Sequence, residues 1–534
     1  MGFAGTRRDL LTGMLGMAFA GCSRRGPTLD FDGALVEDGQ AEGHRLRDGW
    51  AVADPGPPVE VPILIVGGGV AGLSAAWSLL RSGLSSFRLL ELGRNFGGTA
   101  VGGQGPGGPC PFGAHYLPAP LPHNQDLLAL LEELGAVRPR PDGQLHFAEE
   151  HLVADPKERV WYRGTWFPGL YPRAAYSRAD EAELVRFEAR IDALVAQRGG
   201  DGRRPFSLPM ALGSEDPEFL ALDQLDLGAW LTREGFNGKL VREQATYACR
   251  DDFGTEPEVT SAWYGLHYFA ARIDRPGEES AELLSWPNGN FHLVQHLAKV
   301  IGDRAEAGLV TTQVAPSPDG RRALVTAVER HTGRARRYLA DRVILAVPGH
   351  VRRRLLSGAW AAPDPTPDYA PWLVANLHLS KRPGYEGSEL AWDNVIHGSK
   401  SLGYVVNNHR DGPSHGPTTF TYYLPLTGDP RTERQKLSSL TWRDAADLVL
   451  ADLERCHRDL RRNLLRLDVW RWGHGMVRPT PGTLTSVARR DAARPVGPIH
   501  FAHTELSGVA LFEEAFFHGL RAAAEVRLSL GSPR

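Results

Sequence analysis

Between Val61 and Ala100 the chain reads VPILIVGGGVAGLSAAWSLLRSGLSSFRLLELGRNFGGTA, and in it Gly67, Gly69 and Gly72 keep a G-x-G-x-x-G spacing ahead of the acid Glu91. These residue types at this spacing suit one task, holding a dinucleotide. Gly67 permits a tight turn, Gly69 lets the backbone approach a pyrophosphate, and Gly72 lets a helix pack closely on a strand. Val70 and Ala71, at the start of that helix, would present unpaired N–H groups and the positive end of the helix dipole to the phosphates. Glu91 and Leu92 would meet a ribose, the carboxylate accepting from its diol. With 60 glycines in 534 residues such a triplet can arise by chance, so its surroundings decide. The apolar run Ile63–Val66 precedes it, a helical pattern follows, and a second apolar run ends at Glu91. The pattern is strand, glycine turn, helix, strand.

Other residues could move protons. His474 lies between two glycines, His115 belongs to the aromatic and His cluster towards the end of the Gly- and Pro-dense loop 102–120, and His267 follows Trp263 by one helical turn. A lone histidine is more often structural than catalytic, so the three are candidates only. Aromatic-rich stretches that a plain core does not explain are 249–272, 391–395, 401–406, 421–426 and 470–482. Four cysteines with no C-x-x-C spacing give neither a zinc site nor a disulfide framework, and no metal is expected.

The elements around these residues must be read from composition and periodicity. Length allows two or three domains, and the apolar and charged fractions, 42% and 23%, are those of a globular chain. A net charge of −3 gives no argument for nucleic acid. Residues 124–134, 180–200, 215–247 and 443–466 read as helical, 308–347 as a small β meander, and 370–427 as alternating strands. At the start, Arg7-Arg8 precedes the apolar stretch Leu10–Ala20, too short to span a bilayer. This reads as an export signal of twin-arginine type. Phe19-Ala20-Gly21-Cys22 resembles a lipobox with Cys22 as the lipidated residue. The expected location is the periplasm or cell envelope, reached through the twin-arginine machinery and held to the membrane at Cys22.

Three separated pieces resemble one family. Gly97-Gly98-Thr99 follows Glu91 at the E-x5-G-G spacing of the FAD-dependent amine oxidase, protoporphyrinogen oxidase and phytoene desaturase superfamily. WPNGN…LVQHLAKVIG, then Val310–Val314, then ADRVILAVP resembles its second FAD-contacting segment, and the resemblance implies that Val314 meets the adenine. Pro498–Ala502 followed by Gly508–Ala524 resembles its closing strand and helix, whose N-terminus, here Leu511 and Phe512, faces the flavin. His503-Thr504 stands where relatives carry Gly-Asp or Gly-Glu, so Thr504 or Glu505 would take over the contact with the ribityl chain. The strand Trp372–Leu379 has no lysine before Lys381, where many amine oxidases carry one, and no cysteine follows Cys456, so the FAD is expected to be non-covalent.

The resemblance implies an α/β fold, with a Rossmann-like FAD-binding domain assembled from N-terminal, middle and C-terminal segments. An α+β substrate domain built on an antiparallel sheet would complete it. The divisions expected are a signal at 1–22, a tether and extension at 23–60, FAD-binding parts at 61–150, 285–350 and 495–534, a mostly helical substrate part at 151–284, and a substrate sheet with helix at 351–494. The leading functional expectation is an exported FAD-dependent oxidoreductase that transfers a hydride from a small amine or similar substrate to flavin N5. Oxygen or a membrane-linked carrier would then take the electrons. A second reading is a desaturase- or protoporphyrinogen-oxidase-like flavoprotein with an apolar substrate, which predicts an aliphatic pocket. A third is a lipoprotein that kept the FAD fold as a binding module.

Overall fold

The computed structural model describes residues 31–139, 145–357, 360, 367–411 and 416–531. The twin-arginine pattern and Cys22 lie outside them.

Two sheets organise the chain. The first has seven strands, in the order Ala305–Ala307, Phe87–Glu91, Val59–Val66, Ala335–Leu345, Ala323–Glu329, Leu309–Pro316, with Ile499–Phe501 pairing alongside Ala335–Leu345. Four of its pairings are parallel. The strands come from the front, middle and end of the chain, and the unbroken apolar run Ile63–Val66 is explained by burial on both faces. The helices Val70–Arg81 and Phe512–Gly531 pack together on this sheet, with Trp77 against Phe516 at 5.6 Å between ring centroids. Glycine makes the approach possible, since a Cβ at Gly519 would lie 2.3 Å from the Ala71 carbonyl oxygen.

The second sheet has eight strands, in the order Asp32–Val36, Leu464–Val477, Tyr369–Leu379, Thr418–Pro425, Gly403–Val406, Asp393–Ile396, Glu158–Tyr162, Thr165–Pro168. It is mostly antiparallel, with parallel pairings at Asp32–Val36 and between Asp393–Ile396 and Glu158–Trp161. The helices Pro430–Ser439 and Trp442–Leu453 cover one face. A helical group, Arg178–Ala196, Leu227–Arg233, Lys239–Phe253 and Ala262–Ala270, forms its own core beside the sheet.

Two segments differ from their sequence reading. The hairpin Glu158–Pro168 lies within the stretch read as mostly helical, yet it gives the second sheet its last two strands. The extension before residue 60 does more than lie on the core. Asp32–Val36 adds an edge strand to the second sheet, and the helix Gln40–Asp48 then crosses towards the first. This strap is fixed by ion pairs. Arg330, in the turn between two strands of the first sheet, reaches both Asp38 and Glu42, and Arg471 of the second sheet reaches Glu37.

Candidate active site

A cavity of about 720 Å³ lies between the two sheets, and the glycine turn forms part of its wall. Gly67 has φ +102°, and a Cβ there would sit 2.3 Å from the Ala346 oxygen. A Cβ at Gly72 would sit 1.9 Å from the Gly67 oxygen, so helix and turn touch through backbone alone. Gly69 differs. Its φ of −71° would accept any residue, and a Cβ there would meet nothing nearer than Gly98, at 3.8 Å. The absent side chain leaves open a cradle at the helix N-terminus, which is where a pyrophosphate belongs. Gly97 N–H donates to the Gly68 carbonyl at 2.8 Å and fixes the second glycine pair across this cradle.

Glu91 is held by two amides, Gly68 N–H on Oε2 and Gly93 N–H on Oε1, each at 2.6 Å. Burial pushes its carboxyl up, and the two amides oppose that shift. The remaining lone pairs are free for a ribose diol. Leu92, Gly97, Gly98, Thr99, Val70 and Ala71 line the same cavity, as do Thr504, Leu511 and Phe512. The start of the Phe512–Gly531 helix therefore points its N-terminal end at the cavity.

Two cofactor-contact expectations fail. Val314 is fully buried, and its carbonyl accepts from Ser357 N–H at 3.2 Å. It shares a strand face with Leu309 and Thr311, because a bulge between Thr311 and Gln313 resets the alternation. It sits further along that face, under the Leu356–Ser357 segment, and it is Leu309 and Thr311 that line the cavity. Glu505 also turns away. Both its carboxylate oxygens accept from Gly349 N–H at 2.9 Å, tying the short turn Thr504–Leu506 to the chain after Pro348.

The histidines separate cleanly. His267 is buried away from the cavity, its Nε2 2.9 Å from the Ser207 carbonyl and its ring stacked on Trp263 at 5.2 Å, so it is a core residue. His474 does line the cavity. It stacks on His350 at 4.1 Å, and burial, with His350 and Arg434 nearby, pushes it down to about 3. His115 belongs to a second, smaller cavity of about 70 Å³. Burial holds it near 3, and its ring stacks on Tyr423 at 4.6 Å.

The wall between the two cavities is the segment Pro111–Tyr116, held by side chains of the second sheet and by the turn at Thr99. Tyr423 Oη donates to the Gly113 carbonyl at 2.9 Å, Trp472 Nε1 to Phe112 at 2.6 Å, and Asn376 Nδ2 to Pro111 at 2.9 Å. Ala114 N–H donates to Thr99 at 3.0 Å. Ala114 faces the large cavity and His115 the small one. Four of the five aromatic-rich stretches meet at the small cavity, through Asp251 and Tyr268, Trp392 and Asp393, Leu402 to Val405, and Tyr423. The fifth lines the large cavity with Trp470, Trp472 and His474. Glu158 and Tyr247 also reach the small cavity and had no signal in the sequence beyond their type. Lys381 is exposed, beyond the end of its strand.

The family model for flavin containing amine oxidoreductases matches residues 70–527. The chain belongs to that family. A protein named as a flavin-containing monoamine oxidase of Mycobacterium tuberculosis is 25% identical over 504 residues, covering 88% of this chain and 97% of that protein. The flavin-dependent L-tryptophan oxidase of Lentzea aerocolonigenes is 26% identical over 476 residues, covering 82% and 92%. A structure of putrescine oxidase carrying three substitutions superposes with a TM-score of 0.64 at 18% identity, covering 89% of this chain and 100% of the other. The chain is thus an FAD-dependent oxidoreductase, and the large cavity, with its open cradle at Gly69 and its acid at Glu91, fits FAD. None of Cys110, Cys249 and Cys456 lines that cavity.

Proposed function

We propose that the protein oxidises a small amine that lies between the cofactor cavity and the pocket beyond His115, and that it does so outside the cytoplasm. The observation that carries this reading is the character of the small cavity. Aromatic and acidic side chains, among them Tyr116, Asp251, Trp392, Asp393 and Tyr423, share its wall with Leu170, Leu283, Leu402 and Val405, and the rings and carboxyls suit a protonatable nitrogen. A polyene calls for aliphatic walls throughout, and the polar groups in this wall favour the amine over it.

Bound FAD would supply the two-electron acceptor for oxidation of the amine to an imine. The chain's own residues prepare the substrate. The rings of His115, Tyr423 and Trp392 orient it and exclude water from one side. His115, held near 3, stays neutral at physiological pH and presents no cationic charge to repel an ammonium group. On the other side, Trp470 and Trp472 stack on each other at 5.1 Å and close the cofactor cavity against the second sheet.

Export rests on the pattern from Thr6 to Cys22. Twin-arginine export carries folded proteins, which suits a chain that must load FAD first. The test of the chemistry is an anaerobic flavin-bleaching screen across amines, porphyrinogens and polyenes. Bleaching by amines alone supports the reading, and bleaching by polyenes or porphyrinogens alone overturns it. For export, Cys22→Ser should move the protein from the membrane fraction to the soluble envelope fraction. An unchanged distribution would remove the lipid anchor.

A further inference from the structure

We infer that the helix of the strap, Gln40–Asp48, is a gate over the adenosine end of the cofactor site, which lifts to let FAD enter or leave and settles on FAD once it is bound. The inference uses the fit of the large cavity to FAD and is independent of what the enzyme oxidises.

The helix hangs between two fixed strands. Before it, Asp32–Val36 pairs with Arg466–Trp470, and Phe31 and Leu35 pack on the core of the second sheet. A Cβ at Gly33 would sit 2.0 Å from the Leu467 oxygen, so that strand is tightly seated. After it, Val59–Val66 runs through the first sheet between Phe87–Glu91 and Ala335–Leu345. Gly39 and Gly49 flank the helix with φ of +80° and +95°, backbone that favours glycine and gives the chain a joint at each end. None of the nine described side chains of the helix is buried. Helices below about 12–15 residues are marginal in water, so docking contacts decide whether this one stays closed. Those contacts are largely ionic. Arg330 holds Asp38 and Glu42, and Arg471 holds Glu37. Arg94 N–H donates to Asp38 at 2.7 Å, Arg354 donates to the Arg47 carbonyl at 3.2 Å, and Leu46 packs against the core of the first sheet. Such a hold weakens as salt screens its charges.

The underside of the helix is part of the cofactor site. Gln40, Gly43, His44, Leu46 and Arg47 line the large cavity. Gly39 lies against Leu92, where a Cβ would come within 1.9 Å of Leu92 Cδ2. Leu92 follows Glu91, the acceptor for the ribose, so the start of the helix covers the adenosine end. Bound FAD gains contacts from the closed helix, and by the same free energy it favours closing. The strap precedes the residues 70–527 that the family model matches, so the gate belongs to this chain's own extension. A dinucleotide that must pass beneath a closed helix enters and leaves only as often as the helix opens, and a gate of this kind sets both rates.

The test measures FAD association and release by flavin fluorescence with the full chain, and amide hydrogen exchange on the same protein with and without FAD. Glu37→Gln combined with Glu42→Gln weakens the latch and leaves Asp38, Arg330 and the glycine turn in place. A gate predicts that association and release both quicken in this variant, roughly tenfold each, so that affinity changes less than either rate. Raising the ionic strength should quicken release from the parent protein and have less effect on the variant. FAD should slow exchange of the amides at 43–48 by at least about tenfold, while those of Asp32–Val36 change little. Faster release with unchanged association would make the helix a fixed wall and overturn the gate. Unchanged rates in the variant, or exchange at 43–48 that FAD does not slow, would also overturn it. Exchange and salt dependence are read on the parent protein, so the inference stays testable even where the variant fails to fold.

Discussion

Replacing Gly69 with alanine separates cofactor binding from folding more sharply than any other change in this chain. The backbone there, φ −71° and ψ 179°, is open to alanine, and the new Cβ would have no protein neighbour within 3.8 Å. Folding should therefore be unharmed, and a glycine-to-alanine change at a compatible site adds up to about 1 kcal/mol by reducing the freedom of the unfolded chain. The methyl group would instead occupy the cradle and hold a pyrophosphate away from the N–H groups at the start of the Val70–Arg81 helix. Two charge-assisted hydrogen bonds lost at about 1.5–3 kcal/mol each come to about 3–6 kcal/mol, or roughly a 10²- to 10⁴-fold weaker FAD complex. Gly72→Ala is the contrasting change. Its Cβ would lie 1.9 Å from the Gly67 oxygen, so the turn itself must move and stability should fall by at least about 1–3 kcal/mol with or without FAD. The assay is flavin-fluorescence titration of apoprotein, with thermal unfolding of the same samples. A Gly69→Ala protein that binds FAD as tightly as the parent would refute the placement of the pyrophosphate. One that loses thermal stability as apoprotein would refute the claim that the cradle is empty of protein.

Other expectations follow from the same geometry. Glu91→Ala removes the acceptor for Gly68 and Gly93 N–H and for the ribose, and should weaken FAD retention by roughly one to two orders of magnitude, read by flavin loss on gel filtration; full occupancy would refute the role. Arg330→Ala leaves Asp38 and Glu42 without their cation and frees the strap 32–48 along one side of the cofactor cavity. FAD should then dissociate faster, and an unchanged off-rate would show that the strap does not retain it. His267 and His457 are buried and held near 3 by that burial. A histidine whose folded pKa lies below its unfolded value stabilises the fold fully above about 6.5 and loses that contribution as pH falls, at about 1.4 kcal/mol per pH unit for each. Glu513, Glu514 and Asp251, raised to about 7, and Asp393, pushed well above its ordinary value by burial, act in the opposite sense over this range but are outnumbered once the depressed histidines His115, His350, His378, His474 and His503 are added. The melting temperature should therefore fall from pH 6.5 to 5, and a flat or rising profile would contradict the burial assigned to these rings.

The glycine turn was legible because it is local. Gly67, Gly69, Gly72 and Glu91 lie within one strand–helix–strand unit, and their spacing together with the apolar runs around them encodes the turn. Val314 was misplaced because spacing along a strand does not say where the covering chain begins, and the bulge at Thr311–Gln313 is invisible in the sequence. Glu505 failed for a related reason, since in a tight turn one residue's shift exchanges the cavity for Gly349. The small cavity was legible only in part. Its aromatic stretches stood out by composition, but their meeting depends on sheet pairings between distant strands. Glu158 arrives on a hairpin that pairs in parallel with Asp393–Ile396, a long-range contact with no local signature. The strap was read only as part of a tether and an extension lying on the core, because its Gly-, Asp- and Pro-rich composition hides a short strand that gains its partner only at Arg466–Trp470.

The most direct test is a single-turnover experiment on purified holoenzyme under anaerobic conditions, with a primary amine as the only reductant. Loss of the oxidised-flavin absorbance, with about one equivalent of aldehyde and one of ammonia per flavin reduced, is the predicted result. Flavin that dithionite bleaches but that stays oxidised with every amine offered would contradict the assignment of this cavity pair to amine oxidation.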